Sequence, residues 1–476
     1  MSRRSFISAG GTCAGAALLQ HRGGASLLSA DDPPLSQATR LRATMRTLEI
    51  NGKTATLMGL EQTSGKQGMT LVVNQPFDVL LENKLTVPTA IHWHGLHPPN
   101  NQDGVPGLTQ PAIAPKASER YYFPLKPAGT HWMHSHLGLQ EAFLLSAPLI
   151  VQDPSDKRTD EQEIILFLGD FSFIPPTEIF TKLRKPSGKA MAMNSMAGTA
   201  GKADVNDVDY DAYLANDHTL ADPEVVPVEK HGKIRLRIIN GSSGTNFFIS
   251  LGDLKGELIA TDGMAVQPLN GSHFPLAIAQ RIDVRVQLPQ EGAFPILAFR
   301  EAGTEQTGII LATPGAPIRK LPAKRAAPAG LLTLDTESRL VAADPLGNKS
   351  VDRSFDLRLQ GNMARYDWPI NGVVFNTAKP RGQAAQVQVK NGQRVALKFI
   401  NETGMSHPMH LHGHSFQVIE INGKPLNGAL RDTILVPPKM SVTVAFDANN
   451  PGTWYLHCHI LWHLAAGMAT LVQYEG

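Results

Sequence analysis

Cysteine is scarce in this chain of 476 residues, which contains only 2. Cys13 lies in an N-terminal stretch that we interpret as a cleaved signal, so Cys458 is expected to be the single cysteine of the mature chain. A single cysteine excludes an intrachain disulfide. An unpaired thiol in an oxidising compartment indicates metal ligation, because the thiolate is a strong metal ligand.

Long apolar runs are also missing, and no segment is a candidate for a transmembrane helix. The N-terminus reads SRRSFI at residues 2–7, and small, weakly apolar residues follow to about Ala30. This pattern is typical of a twin-arginine export signal rather than of a disordered basic tail. We therefore predict a signal peptide over residues 1–30, export by the twin-arginine machinery, and a periplasmic or otherwise exported location.

Neither sign of charge dominates, since 44 basic and 42 acidic residues give a formal net charge of +2. This balance gives no indication of nucleic-acid binding. Helical periodicity is rare, whereas 42 glycines and 34 prolines mark frequent turns. The pattern favours many short strands in sandwiches or barrels, and the length favours two to four domains.

A group of potential soft-metal ligands stands near the C-terminus, where His457, Cys458 and His459 are followed by His463 and Met468. Cys458, His463 and Met468, together with one more imidazole, would form a blue-copper site with a weak axial methionine. Side chains alternate in an extended segment, so the two flanking histidines face away from Cys458 and can bind other ions. Cys458 would then connect two metal-binding groups by a short covalent route.

The chain repeats a pattern in which an asparagine is followed, nine and eleven residues later, by two histidines. The copies are VLLENKLTVPTAIHWHG at 79–95 and VALKFINETGMSHPMHLHG at 395–413, which pair Asn83 with Asn401, His92 with His410, and His94 with His412. Further on, GTHWMHSH at 129–136 matches GTWYLHCH at 452–459. The two copies therefore predict the same strand–loop–strand frame with histidines at the same places.

A third copy lies between them but has lost the histidines. RLRIIN at 235–240 places Asn240 at the matching position, and Ile249 and Leu251 stand where the histidines would be. The middle copy is therefore expected to act as a spacer or to shape a substrate cleft.

Two blue-copper ligands are absent from the first copy. Ser135 stands where the last copy has Cys458, and Thr89 stands where it has His407. One mononuclear site is therefore predicted, in the last domain only. The other histidines come equally from both ends of the chain, so the first and last domains must meet around a metal cluster.

Repeats and composition together predict three domains. We place them at 43–155, 156–325 and 326–476, with the Pro/Ala/Lys/Arg-rich stretch 313–329 as the linker before the third. The first domain would hold half of the cluster and the second no ligand. The third would hold the mononuclear site and the other half of the cluster.

Four ordered motifs carry a resemblance to a known family: HWHG at 92–95, HSH at 134–136, HPMHLHGH at 407–414 and HCHILWHLAAGM at 457–468. Over nearly its whole mature length the chain resembles the three-domain multicopper oxidases, which include laccases and bacterial copper-resistance oxidases. The resemblance implies an all-β fold of three consecutive cupredoxin-like Greek-key β-sandwich domains. It also implies four bound copper ions.

The resemblance assigns a role to each ligand position. The implied type 1 copper ligands are His407, Cys458, His463 and Met468. The implied type 2 ligands are His92 and His410, and the implied ligands of the type 3 pair are His94, His134, His136, His412, His457 and His459. The remaining histidines have no assigned role; they are His21, His97, His131, His218, His231, His273 and His414. Of these, His131 is expected to be structural, and His414 to pack against the site or to support a ligand.

The implied reaction is that of the family. One-electron oxidation of a phenolic or aromatic substrate, or of Cu(I), at the type 1 copper would be coupled to four-electron reduction of O2 to water at a trinuclear copper cluster. Met468 as a weak axial ligand implies a lower potential than an apolar residue at that place would give.

Acidic residues near the motifs leave alternatives open. Asp103 matches an acid that the family places near the trinuclear site and is predicted to relay protons, although a turn aspartate before Gly104 is the alternative. A second acid of some members is absent, because Trp462 stands in its place. Asp432 either orients an electron donor near the type 1 histidine or pairs with Arg431 at a strand end.

The substrate is the least determined part of the prediction. Three methionines within Met191–Met196 could handle Cu(I), because thioethers are soft donors, or they could be incidental in a loop. A laccase-like enzyme is therefore expected, with a cuprous oxidase for copper tolerance as the alternative.

Two other classes of protein are disfavoured by the same motifs. A non-catalytic relative would have lost its copper ligands, whereas this chain retains the full set. A copper nitrite reductase has no type 3 pair, which the complete HSH and HCH motifs and the three-unit length argue against.

Overall fold

The computed structural model describes residues 34–185 and 205–475. The predicted signal peptide at 1–30 and the Met191–Met196 cluster lie outside these ranges. The described residues form an all-β structure with six sheets, arranged as three successive pairs along the chain. This confirms the expected fold of three consecutive cupredoxin-like sandwiches.

The first pair of sheets lies within residues 39–152. Its strands are β1 (Thr39–Ile50), β2 (Lys53–Gln62), β3 (Met69–Val72), β4 (Pro76–Asn83), β5 (Ile91–His92), β6 (Ser118–Pro124), β7 (Gly129–Ser135) and β8 (Ser146–Gln152). One sheet has the order β2-β1-β4-β6 and the other β3-β8-β7-β5. Phe77, Val79 and Leu81 of β4 are fully buried between the sheets, since every second side chain of a strand faces the core.

The second pair of sheets lies within residues 162–312. Its strands are β9 (Gln162–Phe171), β10 (Ala212–Ala215), β11 (Val225–Pro227), β12 (Lys233–Asn240), β13 (Phe247–Ser250), β14 (Gly256–Thr261), β15 (Met264–Gly271), β16 (His273–Leu276), β17 (Arg281–Gln287), β18 (Ala293–Arg300) and β19 (Gln306–Ala312). The sheet orders are β10-β9-β12-β17-β14-β15 and β11-β19-β18-β13-β16. Ile249 and Leu251 are buried in the apolar core of this sandwich, where the other copies carry histidines.

The third pair of sheets lies within residues 353–474. Its strands are β20 (Arg353–Leu359), β21 (Val387–Val389), β22 (Arg394–Asn401), β23 (His407–Leu411), β24 (Phe416–Ile421), β25 (Lys424–Pro425), β26 (Leu430–Arg431), β27 (Thr433–Val436), β28 (Ser441–Asp447), β29 (Thr453–Cys458) and β30 (Ala469–Tyr474). The sheet orders are β20-β22-β28-β24-β25, with β26 also on β24, and β21-β30-β29-β23-β27.

Helices are few and short in the described ranges. The α-helices are α1 (Pro176–Leu183) and α2 (Leu461–Ala465), and the 3-10 turns are Leu35–Gln37, Asn100–Gln102, Gln140–Phe143, Asp156–Arg158 and Glu337–Arg339. None of the helices in this part of the chain is long and apolar enough to cross a membrane.

The asparagines of the three sequence repeats make similar hydrogen bonds to the main chain. The side-chain amides of Asn83 and Asn240 each donate to two main-chain carbonyls of later segments, and that of Asn401 donates to three, at 2.7 to 3.2 Å. Each side-chain oxygen accepts the backbone N–H two residues further on. Each asparagine therefore fixes the path of the chain just after its strand, β4, β12 or β22. In the first and last copies this stretch of chain leads to the histidines.

Candidate metal centre

Three donor atoms meet in a buried group inside the third sandwich. The Nδ1 atoms of His407 and His463 lie 3.2 Å apart, and the Cys458 Sγ atom lies 3.7 Å from each of them. His407 begins β23, Cys458 ends β29 and His463 lies in α2, so three separate elements supply the donors. All three side chains are fully buried.

The other ring nitrogen of each histidine in this group has a polar neighbour. His407 Nε2 lies 2.8 Å from the Thr403 hydroxyl, and His463 Nε2 lies 3.1 Å from an Asp207 carboxylate oxygen. These contacts turn both Nδ1 atoms toward the sulfur, as partners behind a metal-binding histidine do. Burial raises the pKa of the Cys458 thiol, so the thiolate form requires a bound cation.

Met468 is tied to this group through its backbone. The Cys458 amide donates to the Met468 carbonyl at 3.0 Å, and the Met468 amide donates to the His463 carbonyl at 3.0 Å. Gly467 adopts φ +101°, and a Cβ there would lie 2.5 Å from a Val374 methyl group. Only glycine allows this close approach, which brings the Met468 side chain into the same buried apolar cluster as Cys458.

Strand register places the remaining histidines in one cluster. β5 pairs with β7 so that His92 lies opposite His134, and β23 pairs with β29 so that His410 lies opposite His457. Cys458 lies opposite Met409 in the same register and faces the other side of β29. The expected alternation around Cys458 is therefore present.

Ring nitrogens from different segments face each other inside this cluster. The Nε2–Nε2 distances are 3.4 Å for His92 and His410, 3.0 Å for His412 and His457, and 3.3 Å for His134 and His459. His94 stacks on His410 with ring centroids 3.7 Å apart, and the His136 ring lies 5.1 Å from the His457 ring. The first and third sandwiches thus meet around eight histidines, as the repeat pattern predicts.

The cluster has the chemistry of an imidazole metal site. Burial first, and neighbouring rings second, hold the pKa well below the usual range for His94, His134, His136, His412 and His459. Neutral rings present lone pairs to a metal. The Nδ1 of His94 and the Nε2 of His136 are buried without a hydrogen-bond partner, so these donors also fit a copper cluster.

Asp103 lies directly behind two of these rings. His412 Nδ1 donates to Asp103 Oδ2 at 2.9 Å, while His92 Nδ1 lies 2.9 Å from the Asp103 carbonyl oxygen and 3.2 Å from Oδ1. Gly104, at φ +84°, allows the turn, because a Cβ there would lie 1.8 Å from the Ile91 carbonyl oxygen. The aspartate therefore contacts one histidine from each end of the chain.

Glu141 is a second buried acid that the sequence reasoning missed. Its Oε2 lies 2.8 Å from His134 Nδ1 and its Oε1 lies 3.9 Å from His459 Nδ1. It belongs to the 3-10 turn Gln140–Phe143, and burial raises its pKa well above the usual value. Some family members have an acid where this chain has Trp462. In this chain Glu141, from the first sandwich, places a second acid at the cluster instead. Its only signal in the sequence is an acid five residues after His136.

Asp432 contradicts both of its sequence interpretations. Its carboxylate lies 3.0 Å from His94 Nε2 and not at His463, which is held by Asp207 instead. It pairs with Arg281 rather than with Arg431. Both readings were wrong because the position of Asp432 depends on a partner from the middle sandwich, far away in the sequence.

Two histidines outside the cluster behave as expected. His131 is fully buried, and its Nε2 lies 3.1 Å from the Pro127 carbonyl oxygen. His414 Nδ1 lies 3.0 Å from the His412 carbonyl oxygen, and its Nε2 lies 2.7 Å from the Tyr474 hydroxyl. His131 is therefore a packing residue, and His414 supports the turn that carries His412.

A cavity of about 640 Å³ reaches the cluster from between the first and third sandwiches. Its wall includes His136, Leu139, Tyr455 and Leu464. His136 is only partly buried, in contrast to the other seven rings. A small molecule can therefore approach the cluster on the His136 side.

A soft Cys–His–His group joined by single peptide bonds to a cluster of eight histidines defines a class of protein: a copper oxidase. Models of the multicopper oxidase family match residues 42–156, 175–313 and 350–475. The multicopper oxidase MmcO of Mycobacterium tuberculosis is 34% identical over 418 residues, which cover 83% of this chain and 79% of that protein. Copper resistance protein A of Escherichia coli is 26% identical over 545 residues, which cover 86% of this chain and 87% of that protein.

Solved structures show the same fold. Fet3p, a multicopper oxidase that functions in iron import, superposes with a TM-score of 0.76 at 18% identity, covering 92% of this chain and 90% of that chain. The laccase from Botrytis aclada superposes with a TM-score of 0.74 at 23% identity, covering 93% and 89%. The chain belongs to the multicopper oxidase family. It is a copper-dependent oxidoreductase that uses O2 as electron acceptor.

Proposed function

We propose that the protein is an exported, laccase-like oxidase with four copper ions. A complete Cys–His–His group and a complete eight-histidine cluster, linked through the His457–Cys458–His459 segment, are the observation that carries this proposal. Type 1 copper would be held by His407, Cys458, His463 and Met468. Type 2 copper would be held by His92 and His410, and the type 3 pair by His94, His134, His136, His412, His457 and His459.

Each domain has a separate task in this proposal. The domain at 43–155 supplies four cluster histidines, and the domain at 326–476 supplies four more together with the type 1 ligands. The domain at 156–325 supplies no ligand. Export through a twin-arginine signal at 1–30 would deliver the protein folded to the periplasm or beyond, and N-terminal sequencing of the exported protein tests that cleavage.

Copper, when bound, supplies reversible one-electron chemistry that no side chain of this protein offers. Apart from the partly buried His136, the chain buries its ligands, and it excludes water from the Cys458 group and joins that group to the cluster by single peptide bonds. Thr403 and Asp207 fix the two type 1 rings. Asp103, Glu141 and Asp432 fix rings of the cluster from behind.

Asp103 has a further role in this proposal, which is to carry protons to the cluster. Its carboxylate is fully buried and contacts His412 and His92. Asp103→Asn is expected to lower kcat by about 100-fold or more, because general acid–base groups contribute at least that much. Reduction of the type 1 copper by substrate without O2 should remain as fast as in the wild type.

A matched control for this variant is Asp78→Asn. Asp78 pairs with Arg120 in the same sandwich, and none of its hydrogen bonds or ion pairs in the described structure involves a cluster histidine. Its replacement should leave kcat near the wild-type value. An Asp103→Asn variant with unchanged kcat and unchanged pH profile would show that Asp103 is not on the proton path.

Two donors compete for the type 1 site. Relatives named laccase favour a phenolic or aromatic reductant, and relatives named copper resistance protein A favour Cu(I). His463 is covered by Asp207, whose carboxylate is buried, and by the ring of Trp368 at 4.1 Å, so these two contacts favour neither donor over the other. We rank the laccase-like reaction first and a dedicated cuprous oxidase for copper tolerance second.

Oxygen uptake by the copper-loaded mature protein distinguishes the two donors. We expect uptake with a simple phenol in the absence of added copper. Strong uptake with Cu(I), and phenol oxidation only after excess copper is added, would assign the cuprous oxidase instead. No uptake with either donor, from a protein that carries its coppers, would contradict the oxidase itself.

A further inference from the structure

A network of buried charges joins the middle sandwich to the histidine cluster. Arg281 begins β17, and its side chain is fully buried. Its guanidinium donates to both carboxylate oxygens of Asp432, at 2.7 and 2.5 Å. The same group donates to the carbonyls of Thr130, Ala279 and Asp262 at 3.0 to 3.2 Å. All five N–H donors of the arginine are therefore used, which fixes its orientation.

Asp432 transmits this orientation to two cluster histidines. Its Oδ1 accepts a hydrogen bond from His94 Nε2 at 3.0 Å, and its main-chain carbonyl lies 2.9 Å from His410 Nδ1. The ring nitrogens left available to a metal are His94 Nδ1, which has no hydrogen-bond partner, and His410 Nε2, which faces His92. One residue of the third sandwich thus sets the rotation of a ring from each end of the chain.

The middle sandwich holds the same segment at three more points. The Asp262 carboxylate accepts the amides of Asp432 and Thr433, at 3.3 and 3.2 Å. The Gln280 side-chain amide donates to the Thr433 carbonyl at 3.1 Å. Asp262, Gln280 and Arg281 therefore form a clamp around Asp432 and Thr433, although the middle sandwich has no ligand of its own.

We propose that Arg281 is a positioning residue for the copper cluster, acting through Asp432 on His94 and His410. The proposal rests on the assignment of these two histidines as copper ligands. Arginine is suited to this task, because its planar fork fixes both carboxylate oxygens while its charge offsets that of a buried acid. The middle domain is then more than a spacer, since it sets the geometry on the side of the cluster where His92 meets His410.

Asp432 itself is an orienting group and not a metal ligand. Its carboxylate and the rings of His94 and His410 offer atoms within 4.8 Å of one another, as a metal site would. Arg281 already engages both of its oxygens, however, and a guanidinium charge beside them opposes the approach of a cation. The donor atoms left to copper are the opposite ring nitrogens.

Arg281→Gln tests this role, with Arg394→Gln as its matched control. Arg394 is also buried and pairs with both carboxylate oxygens of Asp447, but it contacts neither the clamp nor a histidine among the described contacts. Arg281→Gln should bind one copper of the cluster about 10- to 100-fold more weakly in competition with a chelator, as loss of a supporting partner does. Its type 2 electron paramagnetic resonance signal should change while the blue type 1 band stays. Arg394→Gln should lower the Tm of the apoprotein yet keep wild-type copper affinity and spectrum.

Arg281→Lys keeps the test decisive if the glutamine variant does not fold. Lysine keeps the charge but cannot form the bidentate pair, so we expect bound copper with a shifted type 2 signal. Wild-type spectrum and copper affinity in folded Arg281 variants would overturn the positioning role. Failure of the wild-type protein itself to bind copper at the cluster would instead overturn the proposed function.

Discussion

Cys458→Ser is expected to remove the intense blue colour and all substrate oxidation while leaving the histidine cluster able to bind its coppers. The serine hydroxyl is nearly the size of the thiol but does not provide the soft, charged donor on which a type 1 site depends. Cys458 Sγ lies 3.7 Å from both His407 and His463, so its loss removes the central donor of that group. Visible absorption and copper content measure the two effects separately.

The fate of the cluster is the informative part of this experiment. His457 and His459 are direct neighbours of Cys458, yet their rings face the other side of β29. Copper content should therefore fall by about one ion of the proposed four, a stoichiometry that follows from the separation of the two ligand sets. A variant that stays blue would show that Cys458 is not the type 1 ligand. Loss of all copper would show that the two groups do not bind metal independently.

The clustering of the candidate ligands could be predicted from the sequence because each motif is local. HWHG, HSH and HCH place alternating side chains on short strands, and the register of β5 with β7 and of β23 with β29 then brings them together. Aligning Asn83 with Asn401 showed that the histidines of the two copies occupy the same places. The repeat also predicted that the two ends of the chain would meet, since neither end has a full ligand set.

The groups behind the ligands could not be predicted in the same way. Asp207 contacts His463, and Arg281 contacts Asp432, each from another sandwich. In both pairs the two residues are more than 150 positions apart in the sequence. Glu141 belongs to a 3-10 turn whose path depends on packing around it. No local spacing rule relates such residues to a motif, so tertiary structure was needed to find them.

The same dependence on distant residues explains why both sequence interpretations of Asp432 are wrong. A carboxylate next to an arginine at a strand end looks like a local ion pair in the sequence. In the structure Arg431 is taken by Glu337 and Asp262, and the free side of Asp432 faces Arg281. The choice between two arginines depends on the middle sandwich, whose ligand-free sequence gave no sign of contact with the cluster.

His134→Ala is expected to keep the blue type 1 band and to lose O2 reduction. His134 Nε2 faces His459 Nε2 at 3.3 Å, and its Nδ1 contacts Glu141, so the substitution removes one donor and leaves a buried acid without its partner. Loss of a residue that only supports a metal ligand costs up to about 100-fold in affinity or activity. Loss of the ligand itself should therefore lower turnover by more than that. Substrate should still reduce the type 1 copper under anaerobic conditions, once per molecule.

The neighbouring His131 offers a matched control for that variant. It lies on the same strand and is equally buried, and its ring hydrogen-bonds only to the Pro127 carbonyl in the described structure. His131→Gln should lower the Tm without changing copper content or O2 uptake, since its ring lies outside the cluster. Full O2 uptake by His134→Ala would contradict the cluster assignment. Equal losses in the two variants would mean that burial of a histidine on β7, rather than copper ligation, controls activity.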